Sequence, residues 1–418
     1  MTVTTDRFVI VGAGIAGVSA AGAARLAGFE GEIVLIGDEP ELPYRRPPVS
    51  KEVVRGEKGA DDIRIRKAEW YEQQRIDLRT DQAVASVSVE DHEVTLASGE
   101  VIGYGSLLLA TGGSARTLDA VTTEAGAAGV RTLRSLADVD GIVSALGPGR
   151  PVVVVGAGLI GSEIAASARE RGAEVTLLEA AASPLPHLLP PALGDFYAAL
   201  HAEQGTHLHC GVEVISIDAG SGDAAGHTVV TAADGRAWSA PVVVVAVGMA
   251  PNSRLAVEAG IEVEGGAIVV DDHGRTNAPD VYAAGDVALL PSGVLGGMHR
   301  VEHWQGAQNH GAAVGKVVAG QDLAFDEVPW CWSDQYGHTL QVTGWPAAGH
   351  DVALRGSLEA RDFTAFYLDG GVLRGAVALG RPADVRLARR WIAEGARPEP
   401  GLLVESDDLA EALTEVPA

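Results

Sequence analysis

Hydrophobic and polar positions repeat one pattern twice along the chain. Residues 8–38 read FVIVGAGIAGVSAAGAARLAGFEGEIVLIGD, and residues 152–179 read VVVVGAGLIGSEIAASARERGAEVTLLE. Each copy is a β-branched run, a glycine-rich turn, an alanine-rich helical stretch, a glycine stop and a second β-branched run closing on an acid. The pattern predicts a βαβ unit twice over. Between the copies, residues 79–97 alternate as strands do, and 107–110 form a short apolar run before Thr111-Gly112-Gly113. After the second copy, residues 184–202 read as a loop and a helix, followed by strands at 212–218, 227–232 and 242–247. Residues 281–285 form a short apolar strand closing on Asp286, and 307–319 carry a helical pattern of small residues. Beyond about residue 323 aromatic residues become denser, from Trp330 and Trp332 to Trp391. There 359–368 and 372–379 read as a hairpin around Asp369-Gly370-Gly371, with a helix at 384–394 and an acidic, partly loose tail at 399–418. The expected fold class is α/β: two Rossmann-like dinucleotide-binding domains, then a C-terminal α+β domain.

A chain of 418 residues has room for two or three such domains. Its net charge of −25 argues against nonspecific nucleic-acid binding. Ten Arg and Lys residues do concentrate between Arg45 and Arg79, and most of these read as a solvated face. Only two cysteines are present, Cys210 and Cys331, which excludes a disulfide framework, a cysteine-based zinc cluster and a C-x-x-C redox pair. No metal site is expected. The apolar segment 8–24 follows Asp6, lacks a basic lead and is interrupted by Gly12, Gly14 and Gly17, so it reads as neither signal peptide nor membrane span. A soluble, cytoplasmic protein is expected.

The glycine positions carry chemistry. Gly12 and Gly156 permit a sharp turn out of the strand. Gly14 and Gly158 let backbone approach a pyrophosphate, while Gly17 and Gly161 let helix pack on strand. The helix N-terminus then presents free N–H groups to phosphate. Asp38 and Glu179 are placed to accept hydrogen bonds from an adenosine ribose. No arginine follows Glu179, only Ala180-Ala181-Ala182, which favours NADH over NADPH. Two clamps imply two dinucleotides, a resident FAD and an exchangeable NADH. The run Thr276–Asp286, a turn and a buried strand ending in Gly-Asp, supports the flavin assignment.

With these features in view, the chain resembles the pyridine nucleotide–disulfide oxidoreductases, and among them the putidaredoxin-type ferredoxin reductases of bacterial cytochrome P450 and ring-hydroxylating dioxygenase systems. The resemblance spans essentially the whole length. It rests most on Pro43-Tyr44-Arg45-Arg46-Pro47-Pro48-Val49-Ser50-Lys51, Gly161-Ser162-Glu163, Arg300-Val301-Glu302-His303-Trp304 and Trp332-Ser333-Asp334-Gln335-Tyr336. It implies a discontinuous FAD domain at 1–112 and 244–322, an NADH domain at 113–243 inserted in it, and a C-terminal α+β domain at 323–418. It also implies that Asp38, Arg46, Lys51, Arg116 and Asp286 touch FAD and that Trp304 and Trp332 lie beside the flavin. Lys51 and Glu163 are the catalytic candidates near the nicotinamide–flavin contact. Three positions depart from the family pattern: Cys331 stands where relatives usually carry an aromatic residue, Ala115 replaces a common proline and Ser162 a common leucine.

The expected activity is hydride transfer from NADH to FAD, then delivery of single electrons to a [2Fe-2S] ferredoxin. Because ferredoxins are generally acidic, docking calls for a local basic patch, with Arg45, Arg55, Arg64, Arg66 and Arg300 as candidates. Disulfide reductases and single-cysteine NADH oxidases or peroxidases are excluded, since no cysteine precedes Cys210. A rubredoxin or other electron-carrier reductase, and a flavin-fold binding protein resembling apoptosis-inducing factor, are the alternatives.

Overall fold

The computed structural model describes residues 6–121, 128–186, 188–347 and 349–413. Two compact units emerge: one from residues 1–45, 60–114 and 250–329, the other from 46–59, 115–249 and 330–418.

The first unit is built on a parallel sheet in the order Val281–Ala283, Ser106–Leu109, Arg7–Val11, Glu32–Ile36, Ile76–Arg79. Val11 sits opposite both Ile36 and Leu109, so the C-terminal ends of these strands come level. Strand order reverses beside Arg7–Val11, the place where open α/β sheets bind ligands. Helix Ile15–Leu26 leaves this edge and stops at Gly28 (φ +93°). There Gly28 N–H donates to Arg25 O and Phe29 N–H to Ala24 O, satisfying the last-turn carbonyls. Helix Trp304–Val318 crosses it closely, because a Cβ at Gly311 or Gly315 would lie 2.1 or 2.2 Å from the carbonyl oxygen of Ala16 or Ala20. That helix begins three residues before the expected 307, at the family-motif tryptophan.

The second unit repeats the scheme. Its parallel sheet runs His207–His209, Glu174–Leu178, Pro151–Val155, Val243–Val245, Val130–Arg131. Helix Leu159–Glu170 ends in the same way, with Gly172 N–H on Arg169 O and Ala173 N–H on Ala168 O. Val243–Val245 pairs with Val153–Val155, so the chain leaves this sheet later than the expected boundary at 243/244. The C-terminal sheet is antiparallel, in the order Trp330–Gln335, His338–Gly344, Val372–Leu379, Asp362–Asp369, Asp351–Ser357. Its hairpin at Asp369–Val372 falls where the sequence puts it.

The C-terminal sheet packs on the helix segment that follows the second clamp: Leu185, Leu189, Leu193, Tyr197 and Leu200 share one core with Leu340, Phe363, Val377 and Leu379. One expectation needs correcting. The acidic tail is folded as far as it is described: Pro400–Glu405 is helical and buries Leu403, while 414–418 lie outside the described residues. Charge on one face of this segment coexists with an apolar anchor on the other.

Candidate functional site

In the first unit, Gly12 adopts φ +113°, and a Cβ there would lie 2.2 Å from Ala110 O. A Cβ at Gly17 would lie 2.0 Å from Gly12 O, so this glycine sets how closely the helix meets its strand. Gly14 differs from both. It is the extended N-cap of Ile15–Leu26, has no side-chain cap, and a Cβ there would meet nothing within 4 Å. The helix therefore points uncapped N–H groups into a space bare of side chain, the cradle a pyrophosphate needs. Asp38 stands exposed just past the adjacent strand. At the other side of the sheet, Gly285 (φ +79°) turns the chain after Val281–Ala283 and brings the half-buried Asp286 to the same C-terminal edge. Gly285 N–H donates to His310 Nδ1 at 3.3 Å. His310, missed from sequence, is buried, stacks on Phe325 at 4.9 Å, and is held neutral by burial, with its pKa down to about 4. Trp304, half-buried, opens the crossing helix.

The second unit holds a matching clamp. Gly156 has φ +101°, with a would-be Cβ 2.4 Å from Ala246 O. A Cβ at Gly161 would sit 1.9 Å from Gly156 O, whereas Gly158 faces open space as an uncapped N-cap. Glu179 Oε2 accepts from Ala157 N–H at 2.7 Å and Oε1 from Ala181 N–H at 2.9 Å. The carboxylate is thus fixed at the mouth of the turn. Both glycine turns fit a dinucleotide on their own geometry.

The same unit contains a buried ion pair. Lys51 and Glu163 are 5% and 2% exposed, and Lys51 Nζ lies 2.7 Å from Glu163 Oε2. A π-helical turn at Val49–Val53, closed by Val53 N–H on Pro48 O, aims Ser50 and Lys51 at helix Leu159–Glu170. Such turns recur at functional sites. Ser50 Oγ donates to Glu163 Oε2 at 2.5 Å, Ser333 Oγ donates to Oε1 at 2.7 Å, and Lys51 also donates to Pro47 O. Burial pushes the Glu163 carboxyl up, and Lys51, Ser50 and Ser333 pull against that rise. The turn is docked along one helix face: Ser167 Oγ donates to Ser50 O, Arg171 to Val54 O and Arg55 O, and Arg55 pairs with Glu170. Positions 163, 167, 170 and 171 share that face by helical spacing. Sequence reasoning identified Lys51 and Glu163 but not Ser50, Ser167, Arg171 or Ser333.

Among the remaining candidates, Arg46 is half-buried and donates to Arg134 O at 2.8 Å, and Arg116 is exposed with Nε on Met249 O. Trp332 stacks on Trp330 at 5.2 Å. Strand alternation turns Cys331, Ser333 and Gln335 to the buried face. Cys331, which departs from the family pattern, is therefore buried inside the sheet. Burial first, and then the nearby Glu163 charge, push its thiol up to about 12, the opposite of an activated nucleophile. The expected basic patch is also largely neutralised. Arg55 pairs with Glu57 at 2.9 Å, Arg64 with Asp61 and Arg300 with Glu302. Arg45 donates to Asp62 O, and Arg66 lies over the Trp70 ring.

The chain matches the family described as pyridine nucleotide-disulphide oxidoreductase over residues 6–311, and a reductase C-terminal family over 330–413. It is 39% identical to the ferredoxin–NAD(+) reductase component of the anthranilate 1,2-dioxygenase system of Burkholderia cepacia, across 96% of this chain and 98% of the relative. It is 34% identical to putidaredoxin reductase of Pseudomonas putida, over 95% of this chain and 94% of the relative. The solved covalent complex of putidaredoxin reductase with putidaredoxin superposes with a TM-score of 0.92 at 33% identity, covering 97% of both chains.

Proposed function

From a chain that belongs to the pyridine nucleotide-disulphide oxidoreductase family, we propose an FAD-dependent NADH:ferredoxin reductase serving a cytochrome P450 or a ring-hydroxylating oxygenase. The observation that carries this reading is the pair of Cβ-free glycine turns, each facing an uncapped helix N-terminus, together with the buried Lys51–Glu163 pair. FAD, when bound, supplies acceptance of a hydride and release of single electrons, the step a nicotinamide lacks.

The chain's own residues do the rest. In the first unit Gly12, Gly14 and Gly17 shape the pyrophosphate cradle, Asp38 takes the adenosine ribose, Asp286 holds the ribityl side and Trp304 flanks the ring. In the second unit Gly156, Gly158, Gly161 and Glu179 hold NADH. The short, neutral Ala180-Ala181-Ala182 run after Glu179 offers no cation to a 2′-phosphate. Arg46 and Arg116 are assigned to FAD and Trp332 to the flavin's electron-exit side. Lys51 brings a desolvated ammonium to the reacting rings, where an electrostatic contribution is strongest. Glu163 fixes that ammonium and limits its net charge. No side-chain nucleophile takes part, so catalysis is positioning in a dry site.

The partner is a [2Fe-2S] ferredoxin, bound transiently. Among the described residues no helix is long and apolar enough to cross a membrane, and the reading extends to a cytoplasmic setting. The test is anaerobic titration of the FAD-loaded protein. NADH should bleach the flavin absorbance band and NADPH should do so far more slowly, while steady turnover should require added ferredoxin. A colourless protein after reconstitution with FAD, or turnover indifferent to ferredoxin, would end the proposal.

A further inference from the structure

The Glu163 carboxylate is divided between two sources. Oε2 takes both Ser50 and Lys51, at 2.5 and 2.7 Å, from the turn at Val49–Val53. Oε1 takes Ser333, at 2.7 Å, from the first strand of the C-terminal sheet. Ser333 itself is 1% exposed and lies 170 residues away in sequence. Its proton is directed, because Ser333 Oγ accepts from Gln335 Nε2 at 3.1 Å and so turns its O–H towards Glu163. Gln335 shares the buried face of the same strand, 2% exposed. Without Ser333, one oxygen of a buried carboxylate loses the donor that fixes the plane of the group, while the ammonium stays on the other oxygen.

We propose that Ser333 is a positioning residue for hydride transfer: through Glu163 Oε1 it holds the carboxylate in the orientation and charge state that pins the Lys51 ammonium. The C-terminal strand thereby sets the electrostatics of a lysine carried by a distant loop. The inference rests on the reductase reading, which places Lys51 beside the reacting rings.

The experiment uses the full FAD-loaded chain as wild type, Ser333→Ala, Ser333→Thr, Glu163→Gln and the Ser333→Ala/Glu163→Gln double variant. Two quantities are read: the flavin midpoint potential by spectroelectrochemical titration, and the rate of flavin bleaching by NADH in stopped flow. Ser333→Ala is expected to shift the flavin–NADH equilibrium by about tenfold, or about 30 mV for a two-electron couple, in the direction that Glu163→Gln shifts it. Ser333→Thr, which keeps the hydroxyl, restores the wild-type potential. In the Glu163→Gln background the serine substitution adds nothing, since the group it acts through is gone. An unchanged potential and rate in Ser333→Ala, or effects that simply add in the double variant, would overturn the proposal. If Ser333→Ala cannot be loaded with FAD, Gln335→Met removes the donor that orients the hydroxyl and is judged by the same criteria. Failure of NADH to bleach the wild-type flavin would instead sink the reductase reading.

Discussion

Two glycines of one motif should fail in different ways, and the second clamp lets that be measured without disturbing FAD. A Cβ at Gly161 would lie 1.9 Å from the carbonyl oxygen of Gly156, a backbone atom that cannot swing aside. Gly161→Ala must therefore push the helix from its strand, an overpacking cost of about 3 kcal/mol. A Cβ at Gly158 meets nothing within 4 Å, and its φ of −74° suits any residue. Gly158→Ala costs under about 1 kcal/mol, the difference between glycine and alanine at an N-cap. Yet the methyl occupies the gap into which the NADH pyrophosphate must come. The loss there should be about ten- to hundredfold in affinity, equivalent to roughly 1.4–2.8 kcal/mol. The assay pairs a thermal melt with the KM for NADH at saturating ferredoxin. Gly161→Ala should melt several degrees lower, while Gly158→Ala melts like wild type and shows the raised KM. A Gly158→Ala variant that melts as low as Gly161→Ala and keeps its KM would refute the assignment of this turn to the nucleotide.

Glu163→Gln strands a buried ammonium and should destabilise the FAD-loaded protein by about 3 kcal/mol, read as a lowered guanidinium midpoint. An unchanged midpoint would exclude the pair as a stabilising contact. His201, His303 and His310 are all pushed down to about 4 by burial. Each is neutral in the folded chain and titrates near 6.5 when unfolded, so its contribution is complete above about pH 6.5 and is lost as pH falls towards 4. Urea midpoints should drop across that window, and His310→Gln should flatten the drop; an identical acid limb would exclude His310 from it. Ala180→Arg, placed beside Glu179 where the chain is exposed, should raise kcat/KM for NADPH at least about tenfold by meeting the 2′-phosphate. No change in the NADPH-to-NADH ratio would move the adenosine site elsewhere.

How much of this was legible depended on the range of the interaction. The two βαβ units could be read because every determinant is local: strand, turn, helix and stop lie within about thirty residues, and glycine has few other reasons to recur at that spacing. The hairpin at Asp369–Val372 announced itself by its turn residues in the same way. Lys51 and Glu163 were singled out by resemblance, while their contact spans 112 residues and no periodicity encodes it. Ser50 and Ser333 stood inside the family motifs without a role of their own and Ser167 left no signal, because a serine is equally at home on a surface, at a cap or in a buried network. The basic run after Arg45 misled for a related reason: charge is visible in sequence, but its neutralisation by Glu57, Asp61 and Glu170 is a matter of geometry. The tail was misjudged because composition averages over faces, while Pro400–Glu405 buries Leu403 and is held by Arg355 on Leu403 O and Ser406 O.

The two clamps share their glycines but not their acids, and that contrast bears on how each nucleotide is held. Glu179 is tied at both oxygens to backbone N–H groups of Ala157 and Ala181, which hold the acid at the mouth of the second turn. Asp38 makes no side-chain hydrogen bond or ion pair among the described residues and stands exposed. Two carboxylate oxygens offer about four acceptor positions, so Glu179 can still take ribose hydroxyls while remaining pre-set. A pre-set site loses little ordering entropy each time a ligand enters or leaves, which suits a nucleotide exchanged at every turnover. A site whose acid is organised only by its ligand gains its final order from that ligand, so occupancy and local stability rise together. On the proposed assignment, the backbone bonds of Glu179 suit an exchangeable nucleotide and the exposed Asp38 a resident one.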